Sequence, residues 1–328
     1  MANNGIEFTE YSKEDLRRLL PGVVTDFGSN EDARLMELPP VDGGIVGAKC
    51  GRLDAEKLIG FYAKEFVRAG GTLAFDEDVK ALALGPPRGP EAGGGFDSRD
   101  FRVEGVSVHG VTEETLQAET VVLAGGAWEN ELLERIGLSS NVKSKKRQLF
   151  SIRTKGTRLE RLLHSSGFNP LGLLPLTLLP KAGVHFNPAN EKDVLLVECE
   201  DEVNCPFIDL PEHNLEAYTA ENKFYERNIY PVLISYFPDF RDLPIHAMWA
   251  GLHAYNALDY LPFAFRQQNL IVVGGDGGGG MMKGDSLGRI VDSLYREQDE
   301  TMLYGEVPYR TSKLSFEKRD VQREEWVI

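Results

Sequence analysis

Only a strand that ends in a tight turn and leaves it as a helix can make use of the segment NLIVVGGDGGGGMMKGDSLGR, residues 269–289. Leu270, Ile271, Val272 and Val273 form a short apolar run of the kind that builds a buried strand. Glycines broken only by Asp276 come next, and Leu287, Ile290, Val291, Leu294 and Tyr295 then recur at helical spacing. Backbone without side chains can approach another group closely, and the N–H groups that open a helix favour negative charge. The turn is therefore expected to face a ligand, the competing reading being a turn that serves tight packing alone.

Residues Gly275 to Gly280 also satisfy G-x-G-x-x-G, the dinucleotide-binding pattern. A dinucleotide unit needs a second parallel strand after the helix, ending in an acidic residue that meets the ribose. The segment at that place in this chain, YREQDETMLYGEVPYRTSKLSF, is mostly polar, which disfavours an NAD-dependent reading. The other glycine cluster, DGGIVGAKCG at 42–51, lacks both the spacing and an apolar strand before it.

Residues 9–20 predict a short helix capped by Ser12. A second helix, capped by Asp54 and ended by Gly70–Gly71, carries Leu58, Ile59, Tyr62 and Phe66 at helical spacing before a strand TLAF. VKALAL and FRVEGVSV read as strands on either side of a solvated loop, GPPRGPEAGGGFDS. TVVLAGG reads as a buried strand ending beside a ligand or a close helix. From about residue 146 the texture changes to strands and short apolar runs, RQLFSIRT, GLLPLTLLP, DVLLVEC and PVLISYF, a section that reads as a mixed or antiparallel sheet edged by Pro175, Pro180, Pro188 and Pro206. The charged end of the chain reads as a surface tail or partner-binding arm.

Composition narrows the function classes. The balance of 36 basic against 51 acidic residues, a net charge of −15, disfavours nucleic acid and anionic membrane as partners. Cys50, Cys199 and Cys205 are odd in number and show no CxxC spacing, so neither a zinc site nor a disulfide framework is indicated, and a reducing, cytoplasmic setting is expected. No stretch reads as a transmembrane or export segment.

The order of the pieces resembles the FAD-dependent oxidoreductases of the D-amino-acid oxidase type, a group that includes glycine oxidase and sarcosine oxidase. The likeness is most specific at AGGAW, at WAGL…D..P and at the terminal glycine loop with its helix. It implies an α/β, mixed α+β, fold with two parts. Residues 46–145 and 251–310 would form an FAD/NAD(P)-binding-type domain, N-terminally incomplete. Residues 1–45 and 146–250 would form a substrate domain with a large mixed or antiparallel sheet, leaving 311–328 as the charged tail. FAD is the implied cofactor. The resemblance puts Val79 at the adenine side, and Ala124, Gly125 and Trp128 near the phosphate and ribityl region. It puts Gly274, Gly275, Gly277, Gly278, Gly279, Gly280, Met281, Met282 and Lys283 at the N1 and O2 edge of the isoalloxazine. Negative charge develops at that edge when flavin accepts a hydride, and a helix N-terminus with a lysine, Lys283, stabilises it.

Two departures from the family pattern matter. After GL in WAGL the family carries an arginine that grips the substrate carboxylate, and here stands His253, single-pronged and titrating near neutrality. His253 and Tyr255 are the candidates for groups above the flavin, with Arg153 and Lys181 as alternative cations. The implied reaction is oxidation of a C–N or C–OH bond in a small amino or hydroxy acid-like substrate by hydride transfer. The second departure is the strand, G-x-G-x-x-G turn and helix that hold the FAD pyrophosphate, which are not found in these residues. Three explanations stand open: a fragment of a longer enzyme, a partner chain that brings the missing unit, or a noncatalytic assembly subunit that has lost FAD. A sheet lacking its first strand exposes an edge, so an oligomer is expected in each case.

Overall fold

The structure, a computed structural model, describes residues 6–85, 101–110, 113–189, 193–199, 207–208 and 218–321. Nearly all of the loop GPPRGPEAGGGFDS, together with Cys205, Pro206 and the end of the charged tail, lies outside the described residues. The fold is mixed α/β with several sheets.

The largest sheet is built on the strand Val142–Arg153. Along one edge Ala247–Asn256 pairs with it, antiparallel, from Val142↔Asn256 to Ser151↔Ala247. Along the other lie Phe207–Ile208 and Val194–Glu198, flanked in turn by His185–Pro188 and Thr177–Leu178. Side chains alternate between the faces of a strand, so even and odd positions of Val142–Arg153 have different fates. Phe150 and Ile152 join Phe186, Leu195, Val197, Leu233 and Phe240 in an apolar core. Each such fully buried side chain contributes roughly 1.5–3 kcal/mol. The odd positions Lys145, Arg147 and Ser151 form a polar face that is nonetheless buried.

Three strand expectations are corrected. PVLISYF lies in the helix Tyr230–Tyr236, whose Val232, Leu233 and Tyr236 are buried while Pro231 sits in the first turn, where its missing N–H costs nothing. An apolar run this short fits either period, and packing against the large sheet decided for helix. TLAF forms no strand, and GLLPLTLLP contributes only Thr177–Leu178. Near the N-terminus, Ser12 caps the helix Lys13–Leu19 reciprocally with Asp15. The strand before it, Phe8–Ser12, pairs antiparallel with Gly43–Gly47. Asp54 caps the helix Ala55–Arg68 as expected, but that helix buries none of its residues. Ile59, Tyr62 and Phe66 are 60%, 51% and 49% exposed.

A second sheet places Leu270–Gly274 between Phe263–Gln267, antiparallel, and Val121–Leu123, parallel. Leu270, Ile271 and Val272 are fully buried, whereas Val122 is 47% exposed because its strand is at the edge. The TVVLAGG strand is thus only partly buried. The helix Gly280–Tyr295 packs Leu287, Ile290, Val291 and Leu294 beside Ala264 and Val273. After it, Glu300–Leu303 and Val307–Arg310 pair with each other and add no parallel strand to this sheet.

A third sheet, Asp78–Gly85, Arg102–His109 and Glu113–Gln117, docks on the second through Asn269. Its amide donates to Val103 O (2.6 Å) and Glu119 O (2.8 Å) and accepts from Val103 N (3.0 Å). The described beginning of the charged tail is held down: Leu314 is buried, Phe316 packs on Phe263 with centroids 4.8 Å apart, and Arg319 pairs with Asp259. Among the described residues no helix is long and apolar enough to cross a membrane.

Candidate functional site

Parallel pairing of Val121–Leu123 with Leu270–Gly274 brings the ends of two strands together. Each strand runs into a single helical turn, Gly126–Trp128 or Gly277–Gly279, and then into a helix, Glu129–Glu134 or Gly280–Tyr295. The two glycine-containing turns therefore lie side by side. This arrangement unites Ala124, Gly125 and Trp128 with Gly274 through Lys283. Trp128, Met281 and Met282 are 48%, 38% and 75% exposed, and Gly278 is open to solvent. The longer helix has no side-chain cap; the turn that opens it is closed by Gly279 N donating to Asp276 O at 3.1 Å.

Several of the glycines have a packing reason. Gly275 and Gly277 adopt φ of +70° and +58°, in the left-handed region that penalises other residues. A Cβ on Gly275 would meet Asn256 Cβ at 2.8 Å, and one on Gly274 would meet the Glu129 carboxylate at 2.6 Å. At Gly279 the obstacle is instead the flexible end of Lys283, whose Nζ would lie 2.8 Å away. Packing thus accounts for 274, 275 and 277, the Asp276 carboxylate fills the space a Cβ on Gly280 would need, and the portion left for a ligand narrows to 278, 279 and 281–283.

Glu129 is fully buried, and neither carboxyl oxygen finds a hydrogen-bond partner among the described residues. The nearby Ser140 hydroxyl donates elsewhere, to Asn130 Oδ1 at 3.2 Å. Burial pushes the Glu129 carboxyl up to about 8, with the Asp276 carboxylate adding to the rise, so the group is protonated at neutral pH. Asp276 is itself raised by burial, with Lys283 opposing the rise. Sequence reasoning passed over Glu129, since an acidic residue opening a helix ordinarily sits in water.

The large sheet reaches this site through Tyr255. Its backbone bridges Asp276, its ring lies against Gly277, and its hydroxyl is 3.3 Å from His253 Nδ1. Directly opposed residues share a face, so His253 stands beside Lys145, and Lys145 beside Phe207 on the strand beyond. Arg147 lies two residues along the same strand; it donates to Cys199 O (2.8 Å) and approaches Glu198 Oε2 (3.5 Å). Glu198 also meets His185 Nε2 at 3.0 Å. Burial raises the Glu198 carboxyl, but His185, Arg147 and His253 together hold it below its ordinary value. Burial, aided by the Arg147 charge, drives His253 down to about 4. His253 is therefore neutral at physiological pH and cannot replace a charged arginine.

The structure places the remaining predicted residues elsewhere. Val79 is on the third sheet, 39% exposed, joined to this region by Arg135 Nη1 donating to Lys80 O at 2.8 Å. Arg153 is exposed and bonded to His246 Nδ1 (3.1 Å), and Lys181 approaches Glu37 (3.8 Å). The buried cations near His253 are Lys145 and Arg147, which no sequence spacing marks because strand pairing creates the proximity.

A family model described as DAO, FAD dependent oxidoreductase, matches residues 2–294. The chain belongs to this family. No curated protein matches it significantly. Among solved structures it is similar to L-proline dehydrogenase from P.horikoshii (16% identity, TM-score 0.65, covering 90% of this chain and 66% of that one). It is also similar to the glycine oxidases from Geobacillus kaustophilus (18%, TM-score 0.62, 90% and 65%) and Bacillus cereus ATCC 14579 (14%, TM-score 0.62, 94% and 69%). The chain spans less than two thirds of the length of the first two of these. At such identities the likeness is one of fold.

The family's flavin suits the residues present. The helix start, with no side-chain cap and with Lys283 in its first turn, offers positive potential, and Gly278 is exposed. Glu129, protonated, brings no negative charge to the site at neutral pH.

Proposed function

We propose that this chain forms the redox and substrate-facing part of an FAD-dependent oxidoreductase that oxidises a C–N or C–OH bond in a small amino or hydroxy acid-like substrate. The observation that carries the reading is the junction at Tyr255. There the polar face of the large sheet meets the glycine turn and the start of the helix Gly280–Tyr295, with Lys283 beside Gly279. FAD, when bound, supplies the hydride acceptor.

The chain's own residues would do the rest. The helix start and Lys283 stabilise negative charge on the cofactor edge. Neutral His253 orients the Tyr255 hydroxyl toward substrate. The proteins of similar fold, proline dehydrogenase and glycine oxidase, act on amino acids by name, which supports the substrate class.

The proposal extends to association. The exposed apolar side chains of Ala55–Arg68 suit burial against a partner unit that carries the adenosine-diphosphate-binding strand and turn. A cytoplasmic setting belongs to the same reading. Visible flavin absorption after FAD is added to the purified protein, alone and with co-purifying partners, tests it. Uptake of FAD with a shifted flavin spectrum is expected, and a protein that stays colourless under both conditions would overturn the proposal.

A further inference from the structure

Lys145 is only 6% exposed, yet among the described residues no carboxylate lies within ion-pair distance of its ammonium. Three rings surround it instead. Nζ is 4.8 Å from the centroid of Phe207, 5.7 Å from that of Tyr255 and 5.7 Å from that of Tyr260. Phe207 and Tyr260 stack at 6.3 Å and 13°, and Tyr260 meets Tyr255 edge-on at 5.8 Å. The three rings pack against one another around the ammonium.

Ring faces attract a cation, but they carry no net charge to neutralise it. Burying an ammonium without an anion is costly, and the surroundings add to that cost. Lys143 lies over the same Phe207 ring at 5.8 Å, and Arg147 is next on the same face. Arg147 already serves Cys199 O and Glu198. His253, directly across the strand pair, brings no negative charge. Among the described residues the component this cluster lacks is an anion.

We propose that Lys145 is the anchor of a carboxylate-binding site whose walls are Phe207, Tyr255 and Tyr260. The ligand it suits carries one carboxylate on a flat or apolar body, because the walls offer ring surface and one ammonium. Tyr255 joins this ring cluster to Gly277, so a carboxylate held by Lys145 lies on the side of the sheet that faces the glycine loop. The site deepens the flavoenzyme reading and rests on it only in naming the ligand as the substrate. It also removes the need for the arginine that His253 replaces.

Calorimetric titration of the purified chain with benzoate and with its uncharged amide, benzamide, tests the site without turnover. The wild type is expected to prefer benzoate, and Lys145→Gln to lose about tenfold or more of that affinity, as removal of one charge-assisted contact does. Lys145→Arg keeps benzoate affinity within about threefold, since the charge remains. Lys145→Met, with a similar stem and no charge, repeats the loss, and circular dichroism verifies that each variant is folded. Equal benzoate affinity in the wild type and in the folded Gln and Met variants, or no benzoate binding by the wild type, would overturn the proposal. FAD uptake measured on the same samples separates the two readings. Lysine-dependent benzoate binding without FAD uptake removes the flavoenzyme and leaves the site, and FAD uptake with lysine-independent benzoate binding does the reverse.

Discussion

Tyr255 and Gly277 are in such close contact that a Cβ on residue 277 would lie 2.5 Å from the Tyr255 ring. Tyr255 is 1% exposed and cannot swing aside, and residue 277 holds φ at +58°. Gly277→Ala is therefore expected to cost about 2–4 kcal/mol, combining overpacking with left-handed backbone strain. Urea denaturation measures it. Adding Tyr255→Leu should recover the overpacking part but not the strain, and full independence of the two substitutions would show that the contact is not the cause.

Glu129 makes stability depend on pH in a defined direction. Its folded-state value is about 8, raised by burial, against 4.5 for an ordinary glutamate. Between those values the folded chain holds a proton that the unfolded chain has released. The contribution is thus fully present below 4.5 and is lost as pH rises through about 8. Glu129→Gln, which mimics the protonated form, should stabilise the chain by on the order of a few kcal/mol at about pH 9 and change little at about pH 4. Denaturation midpoints that run parallel across this range for both proteins would show that Glu129 does not hold its proton.

His253 acts on the acid side. Burial and Arg147 hold it at about 4, below the ordinary 6.5, so the unfolded chain binds the proton first as pH falls. Stability from this group is complete above about 6.5 and declines toward about 4. His253→Gln should flatten that decline. In FAD-loaded protein, His253→Ala should lower turnover with little loss of bound flavin, and unchanged turnover would remove His253 from the site.

Arg319 pins the turn that carries Tyr260. It pairs with both oxygens of Asp259 and donates to Leu261 O and Pro262 O at 3.0 Å each, while Asn256 Nδ2 binds the same carboxylate at 2.9 Å. The side chains of Arg319 and Asp259 are 11% and 13% exposed. Removing one partner strands the other, so Arg319→Ala should cost about 3–5 kcal/mol, and Arg319→Lys should recover little because it lacks the fork. Thermal melts monitored by circular dichroism check both, and a melt of Arg319→Ala within a degree or so of the wild type would contradict the pinning role.

The apolar side chains on Ala55–Arg68 predict the opposite pattern. Ile59→Glu and Tyr62→Glu should leave folding stability nearly unchanged, because 60% and 51% of these residues are already exposed. They should abolish association seen by size-exclusion chromatography with light scattering. A chain that elutes identically with and without them is not joined through this helix.

Local rules made much of this protein legible. Ser12 and Asp54 announced their helices through the backbone N–H groups they cap, and LIVV running into glycine announced a buried strand entering a turn. The order of AGGAW, WAGL and the glycine loop led to the right family. These signals need only neighbours in the chain. Short apolar runs such as PVLISYF lacked the length to define a period, and the large sheet chose helix for them. The site depended most on tertiary structure. Lys145 faces Phe207 and His253 only because three strands pair in one register, and Arg319 reaches Asp259 across 60 residues. Glu129 loses water only when Gly274 closes over it. A sequence determines its caps, turns and strand edges through covalent neighbours. Burial and charge pairing arise between residues far apart in the chain, so strand register and packing alone decided which lysine, which histidine and which carboxyl are buried close to the glycine turn.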